Sequence, residues 1–445
     1  MPKAVHVLGL SVFSLGTSEF MLSGLLPPVA DDMGVSIPQA GLLISAFAIG
    51  MVVGAPFLAV ATLRLPRRTT LITLLTVFAL GQVGGAMAPG YGFLFATRVI
   101  SALACAGFWA VGAAVAVAMV PENTRARALS VLIGGLSVAN VVGVPAGAFL
   151  GEHFGWRSAF WAVGGMSAVA LVGVVALIPR IPLPETRPKL RREVRIYRDR
   201  RVLLAIGTIA LSAGGVFCTF SYMAPLLTEV AGLGGNWVPT VLGLFGIGAL
   251  IGTTVGGRVA DAHLFGVLLA GSAATTVCLV TLAFTAHIPA AAVAVSFLLG
   301  VSSFFMAPAL NARLFNVAAA APTLAGATTT AAFNLGNTSG PWIGGRVIDL
   351  GWGFSATALA GAAMVALSIG AIARSLRLDR RRAANTRLVT GSEQGVEHGV
   401  EHGWERTGSD GAAAADVAEH TKDPAAAPAQ PARAEQESTD TPRGR

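Results

Sequence analysis

"PRIPLPETRPKLRREVRIYRDRR", residues 179 to 201, is the stretch on which the reading of this chain turns. It carries nine arginines and lysines together with Pro182, Pro184 and Pro188, so it cannot continue an apolar helix. Its flanks are the reverse. Upstream, apolar windows occupy 6–28, 41–63, 69–88, 93–119, 128–150 and 158–178; downstream they occupy 202–227, 238–260, 264–286, 289–312, 325–349 and 355–376. Each is long enough to cross a hydrocarbon core roughly 30 Å thick at about 1.5 Å per residue. The basic stretch therefore divides twelve spans into six and six.

The composition agrees. Of 445 residues, 54% are apolar and 12% are charged, against roughly 25% charged in a soluble domain. The first window is too long for a secretory signal, contains Glu19 and ends in Pro27 and Pro28, which makes it a span. Cys105, Cys218 and Cys278 all lie in spans and form no CxxC pair, so they are read as packing residues. The net charge of +8 follows the membrane. Lys3, Arg64, Arg67, Arg68, Arg125, Arg127, Arg258, Arg313 and the run Arg374 to Arg382 fall on one side with the basic stretch, while the other side has Arg157 and Arg346 and the acidic "PPVADDMGVSIPQ". The positive-inside rule then puts both ends in the cytoplasm. A nucleic-acid partner would need a basic face on a soluble fold, and none is present.

The halves are internally related. "IGMVVG" at Ile49 returns as "IGALIG" at Ile247, 198 residues later, and Pro145 with Gly155 and Trp156 returns as Pro341 with Gly351 and Trp352, 196 residues later. A duplicated six-helix unit is expected: residues 1–179 as the first bundle, 180–201 as a basic cytoplasmic linker, 202–376 as the second bundle and 377–445 as a disordered tail. The tail repeat "GVEHGVEH", with His398 and His402, offers no scaffold for a metal, and no metal site is expected.

Charge within the spans carries the functional argument. Glu19 lies roughly 20 Å from the near side at 1.5 Å per residue, and Arg98 enters from the opposite side at a similar depth. Facing lipid, each would cost about 3 kcal/mol. Facing one another, they offset that cost and make the proton affinity of the acid depend on pairing and access. Ser23 on the Glu19 stripe, Ser101 and Trp109 on the Arg98 stripe, and Asn140, Asn311, Asn334 and Asn337 elsewhere are candidate lining for a cavity holding an amphipathic organic molecule. Glycines flanking proline, in "NVVGVPAGAFLG" (Gly143, Pro145, Gly147) and "GNTSGPWIGG" (Gly340, Pro341, Gly344), mark places where a span can bend and slide. Gly50 and Gly54, like Gly248, Gly252 and Gly256, form strips for close helix packing. No P-loop, GxSxG, HExxH or paired carboxylate is present, so neither enzymatic chemistry, ATP hydrolysis nor a cofactor is expected.

At these residues the sequence resembles the major facilitator superfamily, and within it the twelve-helix drug:proton antiporters. "GTSEFMLSGLLPPVADDMGVS" resembles the signature of their first helix, Arg98 with Gly107 that of the fourth, Gly143, Pro145, Gly147 and Gly151 the antiporter motif of the fifth, and "GWRSAFW" the turn that follows. The resemblance implies two pseudo-symmetric six-helix bundles, proton coupling through Glu19 with Arg98, and cytoplasmic gating through Arg64, Arg67, Arg68, Arg258 and Asp261. In the loop after the second span, "LRLPRR" replaces the expected aspartate and glycine, which shifts the expected gating contact to Asp261. Within the superfamily the sequence is most similar to actinomycete chloramphenicol-resistance exporters. That implies a monomer that exchanges protons for a small amphipathic drug, chloramphenicol foremost. A sugar or metabolite exporter of the same superfamily and a non-transporting membrane sensor or assembly factor are the alternatives.

Overall fold

In a lipid core every backbone N–H and C=O must be satisfied within the chain, and long apolar runs achieve this as helices. The computed structural model describes residues 1–62, 65–180, 194–318 and 322–380, apart from the side chains of residues 59, 60, 123, 126, 261 and 322–324. Twelve long helices result: α1 (Lys3–Gly24), α2 (Ile37–Ala61), α3 (Arg67–Ala86), α4 (Tyr91–Ala118), α5 (Arg127–Phe154), α6 (Trp156–Leu177), α7 (Arg200–Phe220), α8 (Gly235–Ala260), α9 (Ala262–Thr285), α10 (Pro289–Val317), α11 (Pro322–Asp349) and α12 (Ser355–Arg380). There is no strand among the described residues.

Eleven of these helices are long and apolar enough to cross a membrane by composition alone. The exception, α11, has 28 residues but is rich in Thr, Asn and Gly. It lies inside the protein between α2 and α7, where polar residues need not meet lipid. α12 continues to Arg380, four residues beyond the span read from the sequence. The basic linker is described only from residue 194, where Val194–Arg198 forms a 3₁₀ turn. Asp199 then caps α7 by accepting the Arg201 N–H at 2.8 Å. Residues 381–445, the expected tail, lie outside the described residues.

Lys3 and Arg380 define a terminal face; the turns after α1, α3 and α5 define the far face. Gly155 and Gly351 enter their turns on the far face at φ 79° and 81°, a region that favours glycine. On α1 the last turn, Met21–Gly24, tightens to 3₁₀, and a short helix, Leu26–Met33, leads towards α2.

The two halves repeat their packing devices. On α2, a Cβ on Gly50 would lie 2.7 Å from the Ala102 side chain of α4, and one on Gly54 would lie 3.0 Å from Ala106. On α8, a Cβ on Gly248 would lie 3.1 Å from the Val301 nitrogen of α10, and one on Gly252 would lie 3.0 Å from that of Phe305. Buried hydroxyls pair in both halves: Ser14 with Ser167 at 2.6 Å between α1 and α6, and Ser212 with Ser368 at 3.1 Å between α7 and α12.

The proline-flanking glycines occupy seams within each bundle. Gly143 and Gly147 of α5 face Thr17 and Met21 of α1, and Gly151 faces Leu25 just beyond it. Gly340 and Gly344 of α11 face the α7 backbone, where a Cβ on Gly344 would lie 2.7 Å from the Cys218 carbonyl. Ahead of Pro145, α5 widens into a π-turn at Ala139–Gly143, whereas Pro341 sits inside an uninterrupted α11. The Pro341 carbonyl accepts the Tyr222 hydroxyl at 2.7 Å.

Candidate functional site

The bundles meet through α2 against α11 and α5 against α8. Ser45 of α2 donates to the Thr338 carbonyl of α11 at 2.9 Å, and a Cβ on Gly243 of α8 would lie 3.5 Å from the Pro145 ring of α5. Phe20 of α1 stacks on Phe217 of α7 at 5.4 Å, and rings continue from there to Phe220, Phe245 and Phe304. The apolar cluster joining the halves includes Phe20, Val144 and Ala148 from the first bundle. Its counterpart near the terminal face of the second bundle draws, among the described residues, on the second half of the chain alone. The bundles are thus pinned together across the far half of the molecule.

Beside the Phe20–Phe217 pair lies a narrow cleft lined by Glu19, Phe20, Ile44, Phe47, Ala48, Phe217 and Asn337. Both bundles contribute to its walls. In this conformation it is closed, with no room for a drug-sized ligand, whose pockets run to roughly 300–1,000 Å³. A ligand of that size can enter only as the bundles separate.

Behind Glu19, the interior of the first bundle holds a chain of polar groups. Arg98, 1% exposed, donates from one terminal nitrogen to Ser18 Oγ at 2.9 Å and from the other to the Ser18 carbonyl at 2.9 Å. Ser18 Oγ donates to Gln82 Oε1 at 3.0 Å, and Gln82 Nε2 donates to Ser101 Oγ at 3.2 Å. The guanidinium lies 4.3 Å from the centre of the Phe47 ring, a cation–π contact that also orients it. Arg98 Nε is buried without a hydrogen-bond partner.

Glu19 is 8% exposed and takes no part in the four ion pairs found among the described residues. The sequence reading places it facing Arg98; the two groups interact electrostatically without forming an ion pair, and the hydrogen bonds of the guanidinium go to the neighbouring residue, Ser18. The reason is helical geometry: successive side chains are turned by about 100°. Ser18 points into its own bundle, and Glu19 points at the cleft.

The remaining candidates scatter. Ser101 belongs to the polar chain, and Trp109 packs half-buried on the core of the first bundle. Asn140 and Asn311 donate to carbonyls of their own helices, Leu136 and Ala307. Asn334 donates to the Thr330 carbonyl and leaves Oδ1 without a partner, and Ser23 Oγ is likewise buried and unpartnered. Asn337 alone of the asparagines lines the cleft with Glu19. Of the gating candidates, Arg67 donates to the Ala114 carbonyl and Arg68 to that of Val175, near the C-terminal ends of α4 and α6. Arg258 is exposed. Arg64 and the side chain of Asp261 lie outside the described residues. No metal-binding cluster of His, Cys, Asp and Glu occurs among the described residues.

Gln82, Ser18, Phe20, Phe47 and Phe217 belong to the site and escape the sequence reading. Gln82 carries the same signal as the asparagines, an amide within an apolar span, and could have been found by it. The phenylalanines carry none, because an aromatic ring in a membrane helix is ordinary packing until its neighbours are known.

The profile of the Major Facilitator Superfamily matches residues 8–332. A chloramphenicol resistance protein of Streptomyces lividans is 42% identical over 346 residues, covering 77% of this chain and 88% of that relative. The inner membrane transport protein YdhP of Escherichia coli K12 is 35% identical over 370 residues, covering 83% and 95%. Among solved structures, a bacterial homologue of the human lysosomal transporter Spinster, inward-facing and unoccupied, superimposes with a TM-score of 0.66 at 16% identity, covering 84% of this chain and 95% of that one. A variant of the nucleoside transporter NupG superimposes with a TM-score of 0.68 at 12% identity, covering 84% and 99%. Two six-helix bundles closed over a cleft with a buried carboxyl, together with a profile match over most of the chain, make this protein a multi-pass membrane transporter of the major facilitator superfamily.

Proposed function

We propose that the protein is a proton-coupled antiporter that exports a small amphipathic drug, chloramphenicol foremost, from a bacterial cell, with residues 1–179 and 202–376 as the two rocking bodies and both chain ends in the cytoplasm. The observation that carries this reading is the position of Glu19, a buried carboxyl on the wall of a cleft that both bundles line. The 42% identity to a chloramphenicol resistance protein supports the choice of substrate.

The geometry suits a carrier of protons. A buried carboxyl that forms no ion pair can hold a proton and give it up as its surroundings change. Arg98, parked on Ser18, keeps Nε–H free, one residue along the helix from that carboxyl. When Glu19 releases its proton, the free donor and the positive charge are at hand to stabilise the anion. Opening of one face then exchanges proton for drug, and closure over the far half resets access. One proton moving through about 100 mV and one pH unit releases roughly 2.3 plus 1.4 kcal/mol, enough for a drug gradient of several hundred-fold.

Glu19→Gln is expected to abolish proton-driven export of chloramphenicol from energised vesicles while leaving drug-for-drug exchange in place. Export at the wild-type rate by this variant would remove Glu19 from the mechanism.

A further inference from the structure

Asn337 of α11 reaches the cleft from the second bundle, opposite Glu19. It is 6% exposed, and its Oδ1 makes no hydrogen bond. Buried polar atoms in folded proteins nearly always find partners, and an acceptor left vacant on the wall of a cleft marks a partner that comes and goes. The other asparagines provide the contrast. Asn140 and Asn311 are tied to their own helices, and Asn334, one turn earlier, also leaves Oδ1 vacant, but none of the three lines the cleft.

The walls around that acceptor are aromatic from both sides. Phe20 and Phe47 come from the first bundle and Phe217 from the second. Arg98 lies over Phe47, so the ring surface left for a ligand is that of the Phe20–Phe217 pair. A ligand that satisfies all of these groups presents an aryl ring to the phenylalanines and an O–H or N–H to Asn337. A purely apolar or acceptor-only molecule would leave Oδ1 vacant, and sites built around a hydrogen-bonding group discriminate strongly against ligands that lack its complement.

Resting on the export reading, we infer that Asn337 is a specificity-determining residue: its Oδ1 accepts a hydrogen bond from a hydroxyl of an aromatic substrate whose ring packs on Phe20 and Phe217. Because the acceptor is contributed by the second bundle and Glu19 by the first, such a ligand bridges the two rocking bodies. An aromatic alcohol is thereby retained, and its ester or ether is passed over.

The test uses the purified full-length protein in detergent and two probes, chloramphenicol and its diacetate, in which both hydroxyls are capped. Asn337→Leu should weaken chloramphenicol binding about tenfold, the value of one hydrogen bond to a neutral partner, and leave binding of the diacetate within about twofold. Asn337→Gln, which restores an acceptor one methylene further out, should recover part of the loss. Asn337→Ala, which likewise lacks an acceptor, is expected to show the same discrimination should leucine prevent folding. Equal weakening of both probes, or no weakening of either, overturns the assignment of Asn337 and leaves the export reading standing. Failure of the wild-type protein to bind chloramphenicol at all overturns the proposed substrate and this inference with it.

Discussion

The two bundles share a scaffold and differ in what they bury. Both pack glycine strips, of α2 on α4 and of α8 on α10, and both pair serines between their outer helices. At an offset of 198 residues, however, Arg98 gives way to Ser296, which bonds to its own helix at Ala292 and to the Met223 sulfur. At an offset of 196, Gln82 gives way to Cys278, whose sulfur accepts from Ser302. The second bundle also buries an arginine, Arg313, but near the terminal face, where Asp379 links it to Arg201 at 2.7 and 2.8 Å. One bundle folds without a charge at mid-depth, so the fold does not need one there. The charges of the first bundle are placed for something else.

Four substitutions break or sharpen that contrast. Arg98→Ala strands Ser18 and the rest of the polar chain; two charge-assisted hydrogen bonds and a cation–π contact go with it, for a loss of about 3 kcal/mol or more. Ser296→Ala should cost less than about 1 kcal/mol. Thermal unfolding of the two variants in detergent, beside vesicle export, measures the asymmetry, and equal effects would mean that both bundles rely alike on mid-depth polarity. Gln82→Leu comes next, expected at about 1–3 kcal/mol because it leaves Ser18 and Ser101 without their bridge. It should also slow export by loosening Arg98, while Cys278→Ala leaves export unchanged.

The smallest effect is expected at the far face. Asp32 accepts from Arg157 at 2.5 Å and from the Trp156 indole at 3.2 Å, which ties the turn after α1 to the turn after α5. The counterpart Trp352 is 69% exposed, against 3% for Trp156. Asp32→Asn should cost about 0.2–1 kcal/mol, with the difference from wild type shrinking as salt is raised, since the pair is partly solvated. Trp352→Ala should leave the unfolding temperature unchanged. A larger effect at Trp352 than at Asp32 would place the tighter clasp on the second bundle.

How much of this was legible in the sequence depends on the range of the interaction. Residues 179–201 and the apolar windows place the helices to within a few residues, since spanning length and polarity are properties of contiguous chain. α11 is the least apolar of the twelve, and its inside position, packed between helices of both bundles, explains why. Glu19 and Arg98 stand out because a charge in an apolar run is conspicuous on its own. That Arg98 would rest on Ser18 does not, because it depends on which way two adjacent side chains point once α1 is rotated against α4. Among the four asparagines, sequence offers no way to choose.

By itself, then, the sequence determined the number of crossings, the six-and-six division and the presence of an acid and a guanidinium within them, because each follows from hydrophobicity read along a single strand of chain. The tertiary structure decided that Glu19 lines a cleft together with Asn337 while Arg98 bonds to Ser18, that Phe20 finds Phe217, and that the glycines beside the prolines close seams within bundles. Those outcomes join residues from about 80 to about 320 positions apart, and they are fixed by the rotation and close approach of packed helices, which no local pattern encodes.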